Sequence, residues 1–339
     1  MTSGFGSKTA PRSDEESPFG SKSEFLRIHR LMASSKALDD RMHILVKQGR
    51  APFVGSARGH EGIQVAATCA LEGEDDWLVP HYRGLGNAVA MGLTPREWML
   101  AVFAKRDDPL TAGRNIPGGC FGYRAKRIVT VSQVVAAWLP KAAGMAYAAR
   151  LRGTSQVFLC NFGDGATSEG DFHEALNFSA IHKLPVVWVC ENNGYAISVP
   201  LRLQSAAPIV TRAAGYGMPG VEVDASDVPA CYAAAREAVE RARRGGGPTL
   251  IEARIQRINS HTSEDNQARY RPAAEIEEAL RHDPVPRFEA WLAEQGWLSA
   301  EEAAAVHDEC QREAAEAADW AEAQPDPRPE DTETNVYSS

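Results

Sequence analysis

No stretch of this 339-residue chain approaches the roughly eighteen uninterrupted apolar residues of a membrane-spanning helix, and its first thirty residues lack the apolar core of a secretion signal. Six cysteines are present without a Cys-x-x-Cys pair, which argues against a disulfide framework or a zinc site and points to a reducing cytoplasm, the expected home, or an organelle matrix. There is no basic stripe laced with aromatics, and the net charge is −9, so neither nucleic acid nor a membrane is an expected partner. Two common phosphate-binding signatures are also missing. No Gly-Lys-Ser/Thr follows the glycines near residue 163, and Ser168 stands where a dinucleotide fingerprint needs its third glycine.

What is present is material for a large core, with 44% hydrophobic and 24% charged residues. Residues 1–22 are rich in Ser, Gly, Pro and charge and read as a flexible tail, and residues 324–339 read as an acidic, proline-rich one. Residues 23–323 between them are expected to form one α/β domain. Helical periodicity runs from Phe25 to Leu45 and again from Ala300 to Glu322, giving helical extensions at both ends. Val228 to Arg243 reads as a helix with alanine on one face, and Thr249 to Ala253 as a strand.

The most informative segment is Gly163 to Tyr195. The apolar runs Val157–Phe162 and Val186–Cys190 read as buried strands. Between them Phe172, Leu176 and Ala180 recur every four residues on a helix opened by Thr167-Ser168-Glu169 and stopped at Leu184-Pro185. Strand, helix and strand of this length make a right-handed parallel crossover. Asp164 and Asn193 are thereby predicted just beyond the carboxyl ends of neighbouring parallel strands, where open α/β sheets bind ligands. Gly163 and Gly165 permit close approach of an anion, and the helix start offers free N–H groups. The carboxylate of Asp164 and the amide oxygen of Asn193 are hard donors suited to Mg²⁺ that also holds phosphate. Taken separately, a capping Asp and an Asn-Gly turn would account for each end, but not for their pairing.

Gly163-Asp164-Gly165 closed by Asn192-Asn193 resembles the thiamine diphosphate motif, and the run Asn192-Asn193-Gly194-Tyr195-Ala196-Ile197-Ser198 followed by Pro200 is specific to one group that carries it. Over about residues 30–320 the chain resembles the α subunit of the decarboxylating component of 2-oxo acid dehydrogenase complexes. Gly113-Arg114-Asn115-Ile116-Pro117 and Ser260-His261-Thr262-Ser263-Glu264-Asp265 resemble the branched-chain type more than the pyruvate type. The resemblance implies the thiamine diphosphate-binding fold, a central, mostly parallel sheet flanked by helices. It implies that Asp164, Asn193 and the Tyr195 carbonyl hold Mg²⁺, and that Gly165 and Ala166 present N–H groups to the diphosphate beside Gly163. Tyr82 and Arg83 match a Tyr-Arg pair at the terminal phosphate, where a guanidinium fork suits phosphate oxygens. Ser132 and Val135 fall in the segment that meets the aminopyrimidine, and His261 matches a histidine at the reactive end of the cofactor.

The implied activity is oxidative decarboxylation of branched-chain 2-oxo acids with reductive acylation of a lipoyl group. The implied partners are a β subunit in an α₂β₂ heterotetramer and a lipoyl-bearing acyltransferase core. Pyruvate or acetoin dehydrogenase, or a cofactor-binding scaffold with little turnover, are the alternatives. Three departures bear on the substrate side. Gly118-Gly119-Cys120 stands where a His usually follows, Ala137-Trp138 replaces a Thr-Gln pair of the monovalent-cation loop, and Asp265-Asn266 replaces an Asp-Asp pair. Thr262 stands where animal members carry a regulatory serine, so control by phosphorylation is not expected.

Overall fold

The computed structural model describes residues 17–71, 73 and 75–334. Five strands form one parallel sheet: β1 (Trp77–Val79), β2 (Phe158–Gly163), β3 (Val186–Asn192), β6 (Gly220–Asp224) and β7 (Thr249–Arg254), in the order β1-β2-β3-β7-β6. Two short strands, β4 (Tyr195–Ala196) and β5 (Val199–Pro200), make a separate antiparallel hairpin. All seven residues of β3 are buried, as expected of a central strand covered on both faces.

Alternation along the strands sends side chains into two cores. Leu159, Val187, Val189, Ile251 and Ala253 face one side, with α1 (Lys22–Lys47), α2 (Glu61–Cys69) and α8 (Val228–Arg243). Phe158, Cys160, Phe162, Trp188, Cys190 and Leu250 face the other, with α5 (Trp138–Arg152) and α6 (Gly170–Ile181). The layer on the α2 side also holds α3 (Leu85–Ala90) and α4 (Pro95–Val102). A short α7 (Arg212–Gly215) precedes β6, and α9 (Ala273–Arg281), α10 (Pro284–Glu294) and α11 (Ala300–Glu322) complete the chain. Every residue of α2 is buried, so this helix has no solvent face. No helix among the described residues is long and apolar enough to cross a membrane.

The expected helices and strands form where the periodicity places them, with one difference at the ligand edge. Residues Asp164–Ser168 make a 3₁₀ turn, and α6 begins only at Gly170 with no side-chain cap. The Thr167 hydroxyl, expected among the cap signals, instead donates to the Asp164 carbonyl at 2.8 Å. A tight turn follows because Gly163 and Gly165 sit on either side of Asp164 at the end of the strand.

Residues 1–16 of the expected N-terminal tail, and 335–339 of the C-terminal one, lie outside the described residues. Ser21 caps α1 through a reciprocal pair with Glu24, which sets its start. Residues 324–334 lie against the 105–114 loop. Arg106 N–H donates to the Pro325 carbonyl, Lys105 pairs with Asp326 at 2.8 Å, and Arg114 donates to the Asp331 carbonyl.

Candidate active site at the carboxyl edge of the sheet

β2 and β3 pair in register from Phe158 opposite Val186 to Gly163 opposite Glu191. Their carboxyl ends release Asp164 and Asn193 side by side at the floor of a cavity of about 390 Å³. The lining includes Tyr82, Arg83, Val135, Gly163, Asp164, Gly165, Ala166, Asn193, Tyr195 and His261. Ser132 is not among the lining residues; its hydroxyl accepts from the Val134 N–H at 3.1 Å.

Asp164 is 1% exposed and, among the described residues, has no lysine or arginine in an ion pair. Burial raises its carboxyl to about 6 despite a 3.3 Å hydrogen bond from Gln204. Asn193 accepts from the Tyr195 N–H at 3.2 Å, while Gly194, at φ +80°, turns the chain sharply beyond it. The two walls meet closely here. A Cβ placed on Gly165 would lie 2.9 Å from the Ala196 Cβ, so only glycine lets the 3₁₀ turn approach the hairpin. Ile197 closes that hairpin in the left-handed region, φ +57°, a costly conformation for a β-branched residue. Its carbonyl is held by Arg257 at 3.1 Å.

The opposite wall is cationic. Arg83 is 1% exposed and spans the cavity to the loop after β7, donating to the His261 carbonyl and to the His261 Nδ1, each at 3.1 Å. An accepting Nδ1 leaves the proton on Nε2. Burial, with Arg83 and Arg257 nearby, lowers the His261 imidazole to about 3, so the ring is neutral at physiological pH. The Arg83 Nε, the Arg257 Nε and the Arg257 Nη1 are buried without a hydrogen-bond partner among the described residues. Unpaired guanidinium N–H groups in a dry site cost free energy that an anion would recover.

The His261 loop is internally tied. The Asp265 carboxylate accepts from the His261 N–H at 2.9 Å and from the Tyr270 hydroxyl, whose oxygen also accepts from Arg257 at 2.7 Å. Asn266 caps the following turn by accepting from the Ala268 N–H. The substituted residue therefore has a local structural task in place of a second carboxylate.

Several further groups stand at the site, among them Trp138, noted in the sequence only as a departure in the cation loop. His81 and Trp138 line the cavity, 5.8 Å apart between ring centroids, and the Trp138 indole donates to the Asn161 carbonyl at 2.8 Å. Burial first, then the neighbouring cations, lowers His81 to about 3. Beneath the floor, the fully buried Glu191 carboxylate accepts from His60 Nδ1 at 2.7 Å, Gln64 at 2.8 Å and Asn161 at 2.9 Å. Burial drives His60 neutral, so its Nδ1–H donates to Glu191 and its Nε2 lone pair faces the Asn193 amide nitrogen at 3.4 Å. The sign that could have revealed this network is a charged residue, Glu191, directly after the apolar run Val186–Cys190 in a buried strand.

A family model described as the dehydrogenase E1 component matches residues 29–330. The chain is 44% identical over 316 residues to the 2-oxoisovalerate dehydrogenase subunit alpha of Bacillus subtilis (strain 168), covering 93% of this chain and 96% of that protein. It is 39% identical over 273 residues to the 3-methyl-2-oxobutanoate dehydrogenase subunit alpha of Mycobacterium tuberculosis (strain ATCC 25618 / H37Rv), covering 80% and 71%. It is 34% identical over 324 residues to the mitochondrial 2-oxoisovalerate dehydrogenase subunit alpha of Homo sapiens, covering 95% and 72%.

Proposed function

We propose, for a chain that belongs to the dehydrogenase E1 component family, that it is the α subunit of a branched-chain 2-oxo acid dehydrogenase, acting on 3-methyl-2-oxobutanoate and related acids. The observation that carries the reading is, among the described residues, a buried Asp164 without an ion-pair partner opposite the Arg83 guanidinium, whose Nε has no partner, with a glycine-cleared turn between the walls. A divalent cation with an attached diphosphate complements both walls at once. Asp164, the Asn193 amide oxygen and the Tyr195 carbonyl would hold Mg²⁺. The Gly165 and Ala166 N–H groups, with Tyr82 and Arg83, would hold the diphosphate, and the Val135 backbone would meet the aminopyrimidine.

Thiamine diphosphate, when bound, supplies the carbon nucleophile and electron sink that decarboxylation of a 2-oxo acid requires. The chain's own residues orient and exclude. Gly165 lets the turn close on the hairpin, and Trp138 and His81 wall the cavity against water. His261, kept neutral with its proton on Nε2, is suited to donate a hydrogen bond to an anionic carboxylate or carbonyl oxygen. An arriving anion offsets the Arg83 and Arg257 charges and raises the affinity of the ring for a second proton.

An exposed apolar rim surrounds the mouth: Val134, Val135, Ile197, Val199 and Leu203 are 44–70% exposed. Such a patch beside a cleft supports a partner that covers it, in this reading a β subunit in an α₂β₂ assembly serving a lipoyl-bearing core in the cytoplasm. Coexpression with the β subunit, followed by ferricyanide-coupled decarboxylation of a panel of 2-oxo acids, tests the activity. Turnover greatest with 3-methyl-2-oxobutanoate is expected, and none with any acid despite bound cofactor refutes it. Asp164→Ala is expected to abolish Mg²⁺-dependent cofactor binding in calorimetry; unchanged affinity rejects the metal role.

A further inference from the structure

Far from the sheet edge, His29 of α1, Glu289 of α10 and His307 of α11 bring two imidazoles onto one carboxylate oxygen. The His29 Nε2 lies 2.9 Å and the His307 Nε2 2.6 Å from Glu289 Oε1, with all three donor atoms within 4.8 Å of one another. None of these helices contributes a lining residue to the cavity described above. We propose that this triad is a structural binding site for a zinc-class divalent cation that fastens α1 to the α10–α11 pair.

Two histidines and one carboxylate form a known zinc ligand set, and each comes here from a different helix, so a bound ion would cross-link elements remote in sequence. The cysteine spacing speaks against thiolate-held zinc; nitrogen and carboxylate oxygen are a separate set. The geometry is near what the ion needs. Bonds of about 2.0–2.1 Å in a tetrahedron hold ligand atoms about 3.3 Å apart. The two imidazoles must therefore each back away from Oε1 by about 0.4–0.7 Å, while their nitrogens, within 4.8 Å of one another, come to the same spacing by side-chain rotation. Each ring would carry its proton on Nδ1 and turn its Nε2 lone pair to the metal.

The electrostatics favour a cation. Among the described residues no lysine or arginine pairs with Glu289; its only partners are the two imidazoles. A fourth position is open as well. A separate cavity of about 380 Å³ is lined by Glu289 and His307 together with Leu298, Ser299 and Ala303, leaving room for a water on the ion. His29, in contrast, is 1% exposed and closes the inner side.

The test is a Co²⁺ titration of the full chain purified with its partner subunit, in excess Mg²⁺ so that oxygen-donor sites are filled. One cobalt per chain with the intense visible absorption of a tetrahedral site is expected. Glu289→Gln keeps the side-chain shape and the helix packing, and is expected to weaken Co²⁺ binding at least about tenfold; His307→Ala should do the same. Zinc should raise the unfolding temperature of the wild type and leave that of Glu289→Gln in place. Absence of the absorption in the wild type, or an equal affinity in Glu289→Gln, overturns the proposal and leaves the triad a hydrogen-bonded clasp only. The catalytic reading is untouched by either outcome, since no residue is shared.

Discussion

Replacing His60 by alanine tests whether the buried network beneath the floor is held as the geometry suggests. Glu191 and His60 are both 0% exposed, and the carboxylate has three donors, of which His60 is the shortest. Removing a hydrogen-bond donor from a buried carboxylate costs about 1.5–3 kcal/mol, because the charge loses that bond and cannot regain water. At about 2.1 cal/mol/K of unfolding entropy per residue, 339 residues give about 0.7 kcal/mol/K. His60→Ala should then lower the melting temperature of the purified chain by about 2–4 °C at pH 7, read by calorimetry. Adding Glu191→Gln removes the stranded charge, and the double variant is expected to melt above His60→Ala. A His60→Ala protein within 1 °C of wild type, or a double variant no more stable than the single one, refutes the argument.

Three further outcomes follow from the same structure. Gly165→Ala places a Cβ 2.9 Å from the Ala196 Cβ, so fluorescence titration should show weakened Mg²⁺–thiamine diphosphate binding, restored in Gly165→Ala/Ala196→Gly; unaltered binding in the single variant contradicts the close approach. His261, lowered to about 3 from an ordinary 6.5, takes up a proton less readily folded than unfolded. Its ring resonance should therefore not titrate between pH 8 and 5, and wild type should lose stability relative to His261→Gln as pH falls below about 6.5, whereas a midpoint near 6.5 would show the ring is not desolvated. Gly59 holds φ +93° with its Cβ position 2.2 Å from the Gln256 carbonyl, so Gly59→Ala should lower the urea midpoint by an amount equivalent to about 1–3 kcal/mol or more, and a smaller loss would mean the loop yields freely.

Much of this was legible in the chain because its strands are buried on both faces and so appear as uninterrupted apolar runs. β2, β3 and the turn glycines between them placed Asp164 and Asn193 together without any structure. The 3₁₀ turn at 164–168 was not legible, since Thr167 and Ser168 look like cap residues whether or not a helix follows at once. Nor was the role of Asn266, whose amide oxygen accepts from the Ala268 N–H and caps a local turn. The Glu191 network escaped because its members come from α2 and the residue before it, β2 and β3, and pairing between them depends on register and crossing geometry. Ser132 matched a motif by position, yet its hydroxyl folds back on the Val134 N–H.

The hold of Arg83 on the His261 carbonyl and ring carries a thermodynamic obligation. An anion that claims the Arg83 Nη groups, beyond the unpaired Nε, must take them from the loop, so such a ligand at one wall loosens the segment at the other. Linkage makes the traffic reciprocal: a surface that grips the 258–272 segment independently frees Arg83 and raises anion affinity by the same factor. Subunit docking and cofactor loading would then be two readings of one equilibrium, with a single side chain as the exchange point.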